Sequence, residues 1–74
     1  MPETLISVAQ QVRFIWKRVS AEDPDLYGGS LLDLMADNIT QVSLEDLKAA
    51  IVVSGIYREA NPRIRHQIAS YNAR

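Results

Sequence analysis

Cysteine is absent from this sequence of 74 residues, and histidine occurs once. The lack of cysteine excludes disulfide scaffolds, thiolate zinc sites and cysteine nucleophiles. It is also typical of proteins in a reducing compartment. A single histidine without other ligands at helical spacing beside it does not make a metal site. We therefore expect the protein to bind neither a metal ion nor another cofactor.

Long apolar runs are absent as well. No stretch approaches the roughly 20 residues that a membrane-spanning helix needs. Residues 1–4 lack the positive flank and the apolar stretch of a signal peptide. These two absences predict a cytoplasmic protein with no membrane partner.

The overall composition is that of an ordinary globular domain, with 47% hydrophobic and 23% charged residues. A chain of this length buries only about 60% of the surface that its unfolded state exposes, which leaves no apolar area for a second core. We therefore predict a single helical domain over residues 1–74. Its stability should be marginal, and self-association could raise it.

Apolar residues recur at helical spacing in four segments, which predicts an all-α fold: a compact bundle of three to four short helices. The first helix has the clearest stripe and should end near Ser20. Its stripe consists of Leu5, Val8, Val12, Ile15 and Val19. The third segment is apolar on most sides, so the helix that it forms should be central.

Three helix starts are marked by capping residues. Ser30 and Ser43 are each followed three residues later by an aspartate, and Asn61 stands directly before Pro62. Serine and asparagine side chains accept hydrogen bonds from the first backbone N–H groups of a helix, and proline is favoured in its first turn. Gly55 can mark a kink, a close contact or the end of the third helix.

The stretch 21–29 breaks the helical period and should form a loop. Pro24 disfavours helical geometry at the preceding residue, and Gly28 and Gly29 readily take turn conformations. We expect Leu26 and Tyr27 to pin this loop to the core.

Charge is segregated along the chain, although the net charge is only −1. Residues 1–20 are net basic, residues 21–47 contain acidic side chains and no base, and residues 48–74 are again net basic. Two interpretations remain open. The segments can pair their charges within the fold, or they can offer a face of one sign to a partner.

No group of residues is arranged for catalysis, so we expect that the protein is not an enzyme. Catalysis needs a nucleophile, base or metal that neighbouring groups activate. His66 lies on the polar side of the fourth helix and is interpreted as a surface residue. Glycines before Ser30 resemble a phosphate cradle, but no lysine follows and the surrounding segment is acidic.

Part of the C-terminal half resembles a DNA-binding module. The run Ser43-Leu44-Glu45-Asp46-Leu47-Lys48, followed by Ile51, Gly55-Ile56, Ile64 and Ile68, is similar in rhythm to SAP, LEM and related helix-extended-helix modules. Several of these modules bind DNA. The resemblance implies phosphate contacts from Arg58, Arg63, Arg65 and His66, with an affinity that falls steeply with salt.

Aromatic and basic residues on the first helix favour a different partner. Phe14 lies outside the apolar stripe and Trp16 lies at its edge, beside Arg13 and Lys17. Aromatic residues and arginine are the usual hot spots of protein interfaces. We therefore expect a small non-catalytic regulatory or adaptor protein that binds another protein through these four residues, with self-association through the first helix included. The nucleic-acid module is the alternative.

Overall fold

The computed structural model describes residues 2–26 and 29–71, with side chains from Leu5 onward. These residues form four α-helices and one short 3-10 helix, and they contain no strand. The prediction of a small all-α bundle is confirmed. The elements are α1 Pro2–Glu22, α2 Leu31–Asn38, α3 Leu44–Val53, the 3-10 helix Ile56–Arg58 and α4 Pro62–Ser70.

The three predicted helix starts are all capped as the sequence indicates. In each, a side-chain oxygen accepts a hydrogen bond from the backbone N–H three residues later, at 3.0 Å for Ser30, 3.1 Å for Ser43 and 2.9 Å for Asn61. Such a cap replaces a partner that the first turn of a helix otherwise lacks, and it contributes about 1 kcal/mol.

The buried apolar side chains form one cluster that draws on every helix. As expected from its apolar surface, α3 is central and packs against α1, α2, α4 and the 3-10 helix. The most completely buried large side chains are Val12, Leu31, Met35, Ile51, Ile56 and Ile64. The stripe of α1 therefore lies on α3, and the opposite side of α1 faces solvent.

The first helix is longer than the sequence predicted. It ends at Glu22 rather than near Ser20, and its last turn contains no basic residue. The backbone N–H of Asp23 continues the helical pattern with a 2.8 Å bond to the carbonyl of Val19, because nothing before Pro24 interrupts the chain. Lys17 therefore does not lie in the last turn, where the helix macrodipole would favour a cation.

Leu26 pins the loop between α1 and α2 to the core, as predicted. Its side chain is 7% exposed, and its backbone adopts a φ of 49°. A left-handed backbone is uncommon for leucine, so burial of the side chain and bonds to neighbouring carbonyls must hold it there. The prediction for Tyr27 lies outside the described residues.

Gly55 ends α3, which decides between the alternatives that the sequence left open. Its φ is 85°, a left-handed conformation that glycine adopts without steric cost. The turn allows the 3-10 helix Ile56–Arg58 to pack against both α3 and α4. A methyl group at position 55 would lie 3.4 Å from Nη1 of Arg13, so the Arg13 side chain reaches this turn.

Two residues of the C-terminal segment complete the packing of α2. The backbone N–H of Leu31 donates a 2.8 Å hydrogen bond to Oε1 of Gln67, which ties the start of α2 to α4. The hydroxyl of Tyr71 is buried and has no hydrogen-bond partner among the described residues. Burial raises the pKa of Tyr71, and the nearby charge of Asp33 raises it further. The backbone of Leu32 lowers the pKa, although its approach does not reach hydrogen-bond geometry.

Candidate functional site

The solvent-facing side of α1 carries the most exposed large apolar side chain among the described residues. Phe14 is 67% exposed, and Ile6 on the same helix is 62% exposed. Both lie outside the apolar stripe that packs on α3. Contiguous exposed apolar surface that polar residues surround marks interaction sites, whereas a single exposed apolar side chain is ordinary, so the surface around Phe14 decides its role.

Phe14 separates two grooves, and we call it the Phe14 ridge. The first groove lies between α1 and the end of α2, has a volume of ≈ 420 Å³, and is lined by Ser7, Gln10, Gln11, Phe14, Ile15, Arg18 and Asn38. The second groove lies between α1 and the 3-10 segment, has a volume of ≈ 440 Å³, and is lined by Arg13, Phe14, Trp16, Lys17, Ile56 and Glu59.

The second groove brings together the four residues that the sequence assigned to a protein interface, but Trp16 has a different role from Phe14. The Trp16 side chain is 3% exposed and belongs to the core. Its indole N–H donates a 3.2 Å hydrogen bond to Oε1 of Glu59, which follows the 3-10 helix. Trp16 is therefore a core residue that borders the second groove, whereas Phe14 is exposed beside it.

Arg13 links α1 to the end of α3. Its Nη1 donates a 2.8 Å hydrogen bond to the carbonyl of Ser54, and its Nη2 lies 3.9 Å from Oε2 of Glu59. The side chains of Arg13 and Glu59 are each 54% exposed, so this ion pair contributes at most about 1 kcal/mol. Both residues come from net basic segments, so the pair does not join the acidic segment to a basic one.

Lys17 and Arg18 are the remaining cations of this surface, and each lines a different groove. Neither has a carboxylate within ion-pair distance among the described side chains. The guanidinium of Arg18 lies 5.8 Å from the centroid of the Phe14 ring, which is a cation–π distance. Phe14 therefore borders two grooves, each of which also contains a cation that has no ion-pair partner among the described residues.

The arginines of α4 that the sequence assigned to phosphate contacts bond to backbone carbonyls. The Nη1 of Arg63 donates to the carbonyl of Asp25 and approaches that of Leu26 at 3.5 Å, and its Nη2 donates to that of Gly29 at 3.3 Å. Arg63 therefore holds the loop between α1 and α2. Asn61 assists, because its Nδ2 donates to Oδ1 of Asp25 at 3.0 Å.

Arg65 is used in a similar way on the other side of α4. Its Nε donates to the carbonyl of Tyr57 at 3.2 Å, and its Nη2 donates to that of Arg58 at 3.3 Å. Its guanidinium also lies 5.7 Å from the centroid of the Tyr57 ring. The side chains of Arg58 and His66 are exposed and have no hydrogen bond or ion pair to described residues. Two of the four predicted phosphate ligands thus already have structural partners.

The described part of the chain holds no group of three or more His, Asp or Glu side chains that could bind a metal ion. Across the same residues, the helices are too short or too polar to cross a membrane. Comparison of the chain with protein-family models, with curated protein sequences and with solved structures finds no match.

Proposed function

We propose that this chain is a non-catalytic helical module that binds another protein through the Phe14 ridge and its two grooves. The observation that carries the proposal is the 67% exposure of Phe14 between two grooves on the side of α1 that faces away from the core. A regulatory or adaptor role follows from such binding, because occupying a surface of the partner is then the means by which the module acts.

The energetics of the exposed ring support this proposal. A phenylalanine that is left in water forgoes about 1.5–3 kcal/mol of burial free energy. The fold gains little from Phe14, whereas a partner that covers the ring would gain most of that amount. Arginine is among the residue types that most often dominate the binding energy of an interface, and Arg18 lies beside the exposed ring.

The nucleic-acid alternative has less support from the geometry. Phosphate binding uses the N–H donors of arginine, and those of Arg63 and Arg65 already donate to backbone carbonyls. Arg58 and His66 remain exposed, but two side chains give few phosphate contacts. A fluorescently labelled duplex DNA that binds only at low salt, and that loses affinity on Arg58→Ala, would favour this alternative.

Site-specific photo-crosslinking tests the proposed surface. A photoreactive phenylalanine analogue replaces Phe14 in one sample and Val53 in a matched control, because Val53 is similarly exposed but lies on α3. In cells that produce the protein, position 14 should crosslink to a defined protein and position 53 should not. Equal crosslinking at the two positions, or none at position 14, would contradict the proposal. A product with twice the mass of the chain would show self-association.

A further inference from the structure

We infer that the partner presents an acidic amphipathic helix to the Phe14 ridge, with two apolar side chains that straddle Phe14 and carboxylates that reach Lys17 and Arg18. This inference rests on the proposed function, and it adds the shape and the charge of the partner. It depends on the groove geometry, on the distribution of unpaired cations and on the position of those cations along α1.

The shape of the surface fits a helix. Helices pack when a ridge of side chains on one inserts between the side chains of another. Phe14 is such a ridge, since grooves of ≈ 420 Å³ and ≈ 440 Å³ lie on its two sides. Side chains three or four residues apart on a partner helix lie on one face, so one can enter each groove while the ring of Phe14 fits between them.

The charge of the surface selects an acidic partner. Lys17 lines the second groove and Arg18 lines the first, and neither is paired within the described residues. Glu59 is the one carboxylate among the residues that line the two grooves. Its oxygens already accept from Trp16 and approach Arg13. Carboxylates beside the apolar residues of a partner helix would therefore meet a cation in either groove.

The helix macrodipole does not account for these cations. Its effect is confined to the last turn of a helix, and α1 continues to Glu22 with no base in that turn. Lys17 and Arg18 lie further back, on the same stretch of helix as Phe14. The macrodipole therefore does not account for their position beside the exposed ring, whereas a ligand of opposite charge would.

A second copy of the chain fits this surface less well. A two-fold contact centred on Phe14 would bring Lys17 and Arg18 of both copies into one interface, where Glu59 is the one carboxylate among the groove residues and already accepts from Trp16 and approaches Arg13. The exposed acidic residues of α2 and α3, such as Asp37 and Glu45, lie on other elements. A contact that joined them to the ridge would be head-to-tail, and it would extend into filaments unless its rotation closed a ring.

Selection from a peptide display library tests the inference. The library contains peptides of about 18 residues, which is long enough to form a helix, with randomised positions on one face and a helix-forming frame elsewhere. Selection on the wild-type protein should enrich peptides with two apolar residues three or four positions apart and flanking Asp or Glu. Purified peptides should lose about 30-fold in affinity on Phe14→Ala, as expected for a hot spot.

Charge-reversal variants provide a second test of the inference. The variant Lys17→Glu/Arg18→Glu should weaken the same peptides about tenfold or more, and fresh selection on it should enrich Lys and Arg in place of Asp and Glu. Arg58→Glu is the matched control, because it reverses an exposed charge outside both grooves. It should change the affinity less than about twofold. Far-UV circular dichroism confirms that each variant is folded.

The outcomes separate this inference from the proposed function. Peptides that depend on Phe14 but are neutral or basic would overturn the acidic helix and leave the protein-binding surface standing. Peptides that bind wild type and Phe14→Ala equally, or no enrichment at all, would overturn the inference, and crosslinking at position 14 then decides the proposed function by itself. Enriched peptides that resemble the exposed face of α1 would overturn the acidic helix and would identify a second copy of the chain as the occupant.

Discussion

Replacing Phe14 with alanine should change the free energy of unfolding by less than about 1 kcal/mol. Full burial of a phenylalanine is worth about 1.5–3 kcal/mol, and Phe14 is 67% exposed, so only about a third of that amount, roughly 0.5–1 kcal/mol, is at stake. The lost contact with Arg18 adds about 0.5 kcal/mol, the low end of the range for exposed sites, because 5.8 Å is near the distance limit for such a contact. The higher helix propensity of alanine offsets a similar amount.

Trp16→Ala should behave in the opposite way, although Trp16 is only two residues away. Its ring is 3% exposed, so truncation removes a buried side chain and leaves a cavity, which costs about 3–5 kcal/mol. It also removes the N–H donor to Glu59. A domain of this size has roughly 4–11 kcal/mol of stability in total, so this variant should lose a large share of it.

Urea titration followed by far-UV circular dichroism measures both changes against wild type. The two variants should differ by about 2 kcal/mol or more, with Phe14→Ala close to wild type. A loss above about 1.5 kcal/mol for Phe14→Ala would refute the reasoning, because it would mean that the ring packs on its own fold. The proposal that Phe14 is available to a partner would then lose its main support.

Three further changes test other parts of the structure. Gly55→Ala should lower the free energy of unfolding by about 1–2 kcal/mol, because the left-handed φ of 85° is strained for alanine. An unchanged free energy of unfolding in a urea titration would contradict the left-handed conformation at this position. Arg63→Ala should speed proteolysis at the loop near Leu26, because it removes the hydrogen bonds to the loop carbonyls. A proteolysis rate equal to that of Arg58→Ala would contradict the role of Arg63 in holding this loop. Tyr71→Phe should leave stability equal or higher near neutral pH, since the buried hydroxyl has no partner among the described residues. The pKa of Tyr71 in the folded state is raised above its ordinary value of 10.0. Its contribution to the free energy of unfolding is therefore intact below the ordinary pKa and is lost as the pH rises through the folded-state pKa. Tyr71→Phe should therefore lose less stability at alkaline pH, as urea titrations on both sides of pH 10 would measure, and an equal loss would be inconsistent with the raised pKa.

The helix starts could be read from the sequence because capping is local. Ser30, Ser43 and Asn61 each bond to a backbone N–H only three residues away, so the contact forms wherever the chain turns into a helix. The end of α1 was predicted two residues early, since no residue before Pro24 forces a stop and helix ends have weaker sequence markers than starts.

The sequence assigned Phe14 and Lys17 of the candidate surface to an interface but not Arg18, and it did not separate the exposed aromatic from the buried one. Both Phe14 and Trp16 lie beside the apolar stripe of α1, and their spacing alone leaves either ring free to pack. Glu59, which lies 43 residues further along the chain, accepts a hydrogen bond from the buried Trp16, whereas Phe14 is exposed. Only the packing of the helices decides which of the two rings is buried.

Local patterns by themselves thus determined the helical class, the central position of α3 and the three capped starts, because each depends on residues within about one helical turn. Tertiary structure decided the roles of the arginines and of Gln67. Arg63 bonds to carbonyls 34 to 38 positions earlier in the chain, and Gln67 caps a helix 36 positions away. Side chains form such long-range hydrogen bonds only after the helices pack, so no periodic pattern in the sequence predicts these contacts.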